Sequence, residues 1–159
     1  IKELQELKDS SGVMPEVNQI EVHPLFSQDE LCKFCAENNI IVMCYSPFGR
    51  GNDVLLNNDV IKEIAKRNKK TVQQIILRWD IQHSYIPIPA SGSKKHIAEN
   101  AESLSFRLST DDMNELDALN SGLRTRLDAK TFFSMKQKIK FALIRILWTV
   151  LMTKDGIRF

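Results

Sequence analysis

The segment around Ser91 has the residue types that bind a phosphate group. Ser91, Gly92 and Ser93 follow a short apolar run and lead into a predicted helix that begins with Lys94 and Lys95. Serine hydroxyls and the free N–H groups of a helix N-terminus hold phosphate oxygens, and the two lysines add positive charge. The segment therefore predicts an anion site, although a loop of this composition is more often an ordinary connection between a strand and a helix.

Two other apolar runs end in residues that bind ligands in many proteins. Tyr45 follows the run 40–44, and its ring is able to stack on a flat ligand ring, while Gln19 and Glu21 lie along the first run. Ligands in parallel α/β folds meet the carboxyl ends of the strands. Together with Ser91, these residues predict a site for a phosphorylated, aromatic ligand such as a nucleotide. The alternative is structural, with Tyr45 in core packing and Gln19 and Glu21 paired to nearby backbone.

The elements that must position these residues alternate between helices and strands. Apolar residues at helical spacing, capping boxes at 27–30 and 71–74, and continuous apolar runs indicate them. Such alternation predicts parallel strands with right-handed crossovers, an α/β fold, and the unbroken run 40–44 predicts a strand buried on both faces. The predicted strands are 17–22, 40–44 and 85–89, and the predicted helices begin near 1, 29, 59, 72, 94 and 110.

The composition excludes several classes of protein. The chain has 159 residues, of which 43% are hydrophobic and 26% charged, so it is neither disordered nor of low complexity. Its 22 basic and 20 acidic residues leave a net charge of only +2. A dedicated nucleic-acid-binding protein usually carries a stronger basic field, so no nucleic-acid partner is predicted.

Cys32 and Cys35 have the spacing of a metal-binding pair. A zinc site needs two further ligands, and only Cys44 and His23 stand nearby in the sequence. The pair falls within an apolar helical pattern, which favours packing, and no metal site is predicted. The odd count of three cysteines argues against a disulfide framework and favours a reducing, cytoplasmic compartment.

Several motifs occur together in an order typical of one enzyme family. They are Val17–Pro24, Cys44–Gly49, Ile86–Ser91 followed by Ala98–Asn100, and Leu108–Met113. The first three resemble the sixth, seventh and eighth strands of the aldo-keto reductases with the loops and helix that follow, and the last resembles the closing helix. The resemblance covers about residues 1–128. It implies an α/β fold that forms the C-terminal part of a (β/α)8 TIM barrel of NADPH-dependent carbonyl reductases.

The resemblance implies that ten residues bind NADP. Gln19 would hydrogen-bond the nicotinamide carboxamide, and Tyr45 would stack on the nicotinamide ring. The loop 46–49 would lie along the pyrophosphate, Ser91 would contact the 2′-phosphate, and the last two residues of the set would contact the adenine. The ten positions are Gln19, Tyr45, Ser46, Pro47, Phe48, Gly49, Ser91, His96, Glu99 and Asn100.

Two positions depart from the pattern of the family. Many members carry a lysine where this chain has Ala90 and an arginine where it has His96. Both changes remove a fixed positive charge near the 2′-phosphate, and an imidazole cannot bind phosphate in the bidentate manner of a guanidinium. Lys94 or Lys95 would have to compensate. We therefore expect NADP(H) binding with reduced affinity or with weakened discrimination against NAD(H).

No residue of the chain matches the catalytic Asp, Tyr, Lys and His of the family. These residues lie on earlier strands, which would precede Ile1, and neither Tyr45, Tyr85 nor His23 fits them. The sequence is interpreted as a fragment of an enzyme that reduces an aldehyde or ketone, and alone it is expected to be inactive and unstable. The alternatives are a non-catalytic cofactor-binding or regulatory protein, of which potassium channel β subunits are the family's example, or a truncated gene product.

The predicted second part of the chain, residues 129–159, has no counterpart in the family. A basic stretch from Phe132 leads into an apolar run at 141–152, too short to span a bilayer. On a helix, residues 132–153 would be apolar with one narrow polar stripe. Three interpretations remain open: an interfacial membrane helix, a helix that packs on the barrel or on a partner, and sequence that replaced the usual C-terminus. The packing or partner helix is preferred.

Overall fold

A computed structural model describes residues 1–126 of the chain. Residues Ile1–Thr125 form one compact unit. The boundary predicted at residue 128 and the helix predicted within 132–153 lie outside the described residues. In the part that is described, no helix is long and apolar enough to cross a membrane.

Helices and strands alternate through the described residues, as the sequence predicts. The strands are Val17–Glu21 (β1), Ile41–Tyr45 (β2) and Ile86–Ile88 (β3). The α-helices are Lys2–Ser11 (α1), Asp29–Glu37 (α2), Asp53–Leu56 (α3), Asp59–Asn68 (α4), Val72–Gln82 (α5), Lys94–Ala101 (α6) and Thr110–Asp117 (α7). The predicted single helix over 94–103 is divided, because a 3₁₀ helix, Glu102–Ser105, follows α6. The short helix α3 was not predicted.

The three strands form a parallel sheet in the order β1-β2-β3, as expected for an α/β fold. Gln19 pairs with Met43 and Met43 with Ile86, while Glu21 pairs with Tyr45 in the next row. Register partners point to the same face of a sheet, so Gln19, Glu21 and Tyr45 share one face. All three strands run in one direction, and their carboxyl ends therefore meet at one edge of the sheet.

The two faces of the sheet differ in burial. Val42 and Cys44, which point to the helical side, are 4% and 0% exposed, whereas Ile41 and Ile86 on the other face are 46% and 45% exposed. The prediction that the apolar run 40–44 is buried on both faces is therefore wrong within the described residues. The helices of residues 1–126 cover one face only, and the apolar side chains of the other face remain uncovered.

The structure confirms one of the two capping boxes that the sequence predicts, and it shows another at Ser109. Thr71 and Ser109 each form a capping box, in which the hydroxyl accepts a backbone N–H and the residue three positions later bonds back. The box predicted at Ser27 is wrong, because Gln28 is the N-cap of α2 and no side chain caps that helix. Gln28 adopts the left-handed conformation, with φ 51°, and its Nε2 donates to Glu21 O at 2.6 Å.

Polar contacts fix the outer helices relative to each other. Asp112 of α7 accepts hydrogen bonds from Arg67 and from Asn68 Nδ2 of α4, the latter at 3.0 Å. Burial alone would raise the pKa of Asp112, but the bonds from Asn68, Arg67 and Ser109 outweigh it and lower that pKa. Gln74 of α5 donates to Glu99 O at 2.9 Å and thereby holds α6 beside α5. These contacts join α4 to α7 and α5 to α6.

Candidate functional site

The ends of β1 and β2 carry the first group of predicted site residues. Gln19 is exposed on the uncovered face of the sheet, and its Nε2 lies 3.3 Å from Met43 Sδ. Tyr45, the last residue of β2, is partly exposed on the same face, in the row between Glu21 and Ile88. An aromatic ring and a carboxamide thus stand in adjacent rows on one accessible surface.

The loop after β2 is a run of tight turns. Ser46, Gly49, Arg50 and Gly51 all have positive φ, at 50°, 54°, 62° and 79°. Within the loop, Gly49 N donates to Ser46 O at 2.8 Å and Gly51 N donates to Phe48 O at 2.9 Å. Left-handed backbone is unfavourable for a non-glycine residue, so Ser46 and Arg50 require contacts from outside the loop. The loop ends at Asn52, whose side chain caps α3.

The third strand end is an ordered turn that leads into α6. Ser93 N donates to Ser91 Oγ at 3.1 Å, and His96 N donates to the capping Ser93 Oγ at 3.4 Å. Lys95 Nζ forms an ion pair with Glu99 Oε1 at 3.7 Å. Among the described residues Lys94 makes no ion pair. The first turn of α6 therefore offers backbone N–H groups and one cation without a carboxylate partner.

A cavity of about 290 Å³ joins the second and third strand ends. It brings together five of the ten predicted site residues, one from the loop after β2 and four from the turn and helix after β3. The other five line the strand ends and the loop outside the cavity. The lining residues are Phe48, Gly51, Leu56, Gln73, Ala90, Ser91, His96, Glu99 and Asn100.

Four of the nine lining residues were not among the ten predicted site residues: Gly51, Leu56, Gln73 and Ala90. Leu56 belongs to α3, a helix of four residues that has too few turns to show an apolar period. Gln73 follows Thr71 in α5, and the sequence showed only that this segment begins a helix. The Asn52–Asp53 pair, which caps α3, is the one local signal that could have predicted an element there.

Glu21 and His23 form a buried polar pair beside the end of β1. The Glu21 side chain is 1% exposed, and its Oε1 accepts hydrogen bonds from Thr125 N, at 2.9 Å, and from Thr125 Oγ1. His23 Nε2 lies 3.5 Å from the same carboxylate oxygen. Burial lowers the pKa of His23 against the opposing effect of Glu21, so the imidazole is neutral at neutral pH. The sequence did not predict the contact with Thr125.

The three cysteines are all free and buried. Burial raises the pKa of Cys32 to about 11 and raises the pKa of Cys44 further, so neither thiol ionises at neutral pH. Over residues 1–126, no group of three or more His, Cys, Asp and Glu side chains is placed to hold a metal ion. The Cys32 and Cys35 pair packs in the core beneath α2.

Comparison with known proteins gives one consistent result. The sequence profile of the aldo/keto reductase family matches residues 1–121. The chain is 42% identical over 131 residues to the 9,11-endoperoxide prostaglandin H2 reductase of Trypanosoma cruzi (strain CL Brener), covering 82% of this chain and 46% of that protein. It is 41% identical over 124 residues to the glyoxal reductase of Bacillus subtilis (strain 168), covering 78% and 44%.

Solved structures agree with this result. A mutant of Gox0644 in complex with NADPH superposes with a TM-score of 0.74 at 35% identity, over 80% of this chain and 46% of that one. An aldo-keto reductase complexed with NADPH, AKR2E5, superposes with a TM-score of 0.73 at 32% identity, over 80% and 42%. The chain thus spans less than half the length of the proteins that it matches.

Proposed function

Because this chain belongs to the aldo/keto reductase family, we propose that it is the C-terminal, cofactor-binding portion of an NADP-dependent reductase of aldehydes or ketones. One observation carries the proposal: the cavity that joins the loop after β2 to Ser91 and the first turns of α6. The catalytic Asp, Tyr, Lys and His of the intact enzyme would lie outside this chain.

The sheet supports the assignment of β1, β2 and β3 to the last three strands of a (β/α)8 barrel. They are parallel neighbours in chain order, and helices cover one face, as in the wall of such a barrel. The uncovered face presents Ile41 and Ile86, which would belong to the packed interior of a closed barrel. A length below half that of the relatives agrees with three strands of eight.

The residues of the cavity fit the adenosine end of NADP. Ser91 lines the cavity and supplies a hydroxyl, and α6 supplies N-terminal N–H groups. Lys94, the first residue of α6 but not a lining residue, would add charge, and this donor set is suited to a phosphate. Asn100 and Glu99 also line the cavity, where an adenine would be held by hydrogen bonds to its polar edge. Phe48 adds an apolar surface suited to a flat ring.

When bound, NADPH supplies a hydride to the carbonyl carbon. The Tyr45 side chain would cover one face of the nicotinamide, and Gln19 would fix the rotation of that ring by hydrogen bonds to its carboxamide. The loop 46–49 would hold the pyrophosphate. Charge develops on the carbonyl oxygen during the transfer, so the proton must come from the residues that lie outside this chain.

Ala90 and His96 bear on the choice between NADP and NAD. Both line the cavity, and neither supplies the fixed charge that a lysine or an arginine would place beside the 2′-phosphate. Lys95 is engaged with Glu99, so Lys94 is the cation expected to compensate. We expect the intact enzyme to bind NADPH with weakened preference over NADH.

The test measures the dissociation constants of NADPH and NADH for the intact protein, by quenching of tryptophan fluorescence. We expect His96→Arg to tighten NADPH binding about tenfold and to leave NADH binding nearly unchanged, because only NADPH has the 2′-phosphate. The control is His83→Arg, since His83 lies outside the cavity and pairs with Asp117. If His96→Arg changed the dissociation constants of NADPH and NADH equally, the assignment of the cavity to the adenosine end of NADP would be contradicted.

The same protein tests the reductase activity. Oxidation of NADPH in the presence of an aromatic aldehyde is expected, and binding of NADPH with no turnover of aldehydes or ketones would favour the non-catalytic alternative. The cytoplasmic setting and the role of residues 129–159 as a packing or partner helix remain proposals.

A further inference from the structure

The last described residues lie across the turn that follows β1. We call residues 120–125 the closing segment. Ser121 N and Leu123 N both donate to Leu25 O, at 3.2 and 2.9 Å. Arg124 adds a cation–π contact, with its Cζ 5.0 Å from the centre of the Phe26 ring. Backbone and side-chain contacts together dock this segment at the carboxyl edge of the sheet.

Glu21 anchors the end of the closing segment from inside the fold. It is the last residue of β1 and the register partner of Tyr45, and its side chain is 1% exposed. Its Oε1 accepts both the backbone N–H, at 2.9 Å, and the hydroxyl of Thr125. Hydrogen bonds to a carboxylate are stronger than those between neutral groups, and a buried carboxylate depends on them. Thr125 is therefore held at a fixed place beside β1.

Thr125 in turn touches the loop after β2. A Cβ atom added to Gly49 would lie 3.0 Å from Thr125 Cγ2 and 3.0 Å from Asn52 Cβ, so the methyl group packs directly against the Gly49 backbone. Gly49 is buried in this contact and has φ 54°. The loop needs such support, because the non-glycine residues Ser46 and Arg50 also hold positive φ.

We propose that Glu21 and Thr125 are positioning residues for cofactor binding, which hold the loop 46–51 in the conformation that receives the pyrophosphate of NADP. Neither side chain needs to touch the cofactor. The carboxylate of Glu21 holds Thr125 by accepting a hydrogen bond from the Thr125 hydroxyl, and the methyl group of Thr125 packs against Gly49. The inference rests on the proposed function, which places this loop along the pyrophosphate.

The test separates the roles of the hydroxyl and the methyl group of Thr125 by substitution in the intact protein. Thr125→Val removes the hydroxyl that bonds Glu21 and keeps the shape, while Thr125→Ser keeps the hydroxyl and removes the methyl group. We expect the dissociation constant of NADPH to rise about tenfold for Thr125→Val and about threefold for Thr125→Ser. The matched control is Thr110→Val, the same change at an exposed position in the first turn of α7, and it should leave binding unchanged.

A second readout needs no cofactor. Arg50 is exposed within the loop, so trypsin cleavage after it reports how often the loop leaves its folded conformation. We expect Thr125→Val to be cleaved after Arg50 several times faster than the wild type and than Thr110→Val. Cleavage after Lys33, in the body of α2, should not change. NADPH should protect Arg50 in the wild type.

Steady-state kinetics separate positioning from a general loss of structure. In Thr125→Val we expect the KM for NADPH to rise about tenfold, with the KM for an aromatic aldehyde and the kcat at saturating NADPH within about twofold. Should Thr125→Val also lower the thermal midpoint, Thr125→Ser decides, because it keeps the bond to Glu21 and loses only the methyl group on Gly49. It should be cleaved after Arg50 faster than the wild type at an unchanged thermal midpoint.

The outcomes are distinguishable. Faster cleavage at Arg50 together with weaker NADPH binding in Thr125→Val, and neither in Thr110→Val, would support the inference. A wild-type protein that binds NADPH, with a Thr125→Val variant that binds and is cleaved equally, would overturn this inference alone. A wild-type protein that binds no NADPH would overturn the proposed function and the inference with it.

Discussion

At the scale of single residues, Asp80 is a carboxyl group inside an apolar layer. Its side chain in α5 is 0% exposed, and neither carboxyl oxygen has a full hydrogen-bond partner among the described residues. Burial raises the pKa of Asp80 well above its ordinary value of 3.8, and the neighbouring Cys44 thiol, a weak donor, opposes this shift only slightly. The folded protein therefore keeps this proton to a higher pH than the unfolded chain does.

The raised pKa of Asp80 makes the free energy of unfolding fall as the pH rises above 3.8. Above pH 3.8 the unfolded chain releases the proton that the folded chain keeps, so unfolding becomes easier by up to about 1.4 kcal/mol per pH unit, until the folded pKa is reached. Asp80→Asn has no proton to release, and its stability relative to the wild type should grow as the pH rises above 4, until the folded pKa of Asp80 is reached. Urea unfolding of the intact protein measures this, with Asp9→Asn as the exposed control.

A difference in stability between Asp80→Asn and the wild type that stays constant with pH would contradict a raised pKa at Asp80. If Asp9→Asn gained stability with rising pH as much as Asp80→Asn does, the effect would come from the change in net charge, because Asp9 is exposed.

The sequence predicted site residues whose chemistry stands in a local motif and missed those defined by distant contacts. The turn that contains Ser91 and leads to His96 is continuous in the chain, and the structure brings both to one cavity. Glu21 was identified only as a polar residue on a strand, because its partner Thr125 lies 104 positions away. Without that partner, nothing in the local pattern distinguishes a buried anchor from a solvated carboxylate.

At the scale of elements, two similar cap sequences behave differently. Thr71 precedes α5 and bonds Gln74 N at 3.2 Å, while Gln74 Oε1 accepts from Thr71 N at 3.0 Å. Ser27 has the same type of sequence before α2, yet its hydroxyl is buried and has no partner among the described residues. A backbone bridge between His23 and Phe26 tightens the chain just before this helix, and Gln28 takes the cap position with positive φ.

Alanine substitutions should separate the two caps. Thr71→Ala should lower the free energy of unfolding of the intact protein by about 1 kcal/mol, the usual cost of losing an N-cap hydroxyl. Ser27→Ala should change it by less than about 0.5 kcal/mol, because the hydroxyl caps nothing. Chemical denaturation of both variants under one set of conditions measures the difference. If Ser27→Ala lost as much stability as Thr71→Ala, the result would support the capping box that the sequence predicts at Ser27.

Local sequence signals predicted where the helices and strands lie along the chain. They did not predict how far each element is buried. Apolar runs and caps predicted all three strands and six of the seven described α-helices, with bounds displaced by one or a few residues. The run 40–44 looks like a strand buried on both faces, and Ile41 shows that burial depends on whether a second layer is present. An unbroken apolar run of this kind is typical of a strand that is covered on both faces.

At the scale of the whole molecule, the uncovered face of the sheet determines the tendency of the chain to associate. Val17, Ile41, Ile86 and Ile88 are between 38% and 46% exposed on that face. Apolar surface of this kind next to an open strand edge promotes association. The 159-residue chain alone is therefore expected to be unstable or to aggregate, whereas the same residues would be core in an intact barrel.

The paired substitution Ile41→Thr and Ile86→Thr should have opposite effects in the two contexts. In the 159-residue chain it removes exposed apolar surface, so less protein should sediment and less dye should bind to apolar patches. In the intact protein it places hydroxyls in a packed interior and should lower the free energy of unfolding by several kcal/mol, roughly 1–3 for each site. The control pair is Val54→Thr and Leu104→Thr, which are exposed outside the sheet. If the Ile41→Thr and Ile86→Thr double variant of the 159-residue chain were no more soluble than the wild-type chain, an uncovered apolar face would be contradicted.

The bond between Glu21 and Thr125 also has a consequence for the order of folding. It closes a loop of 104 residues, and this closure costs on the order of 3 kcal/mol more entropy than closing a turn of four residues. Contacts of such long range form after local helices and neighbouring strands. In refolding experiments the sheet should assemble first, and the ability to bind the cofactor should recover in a later kinetic phase than the circular dichroism of the helices.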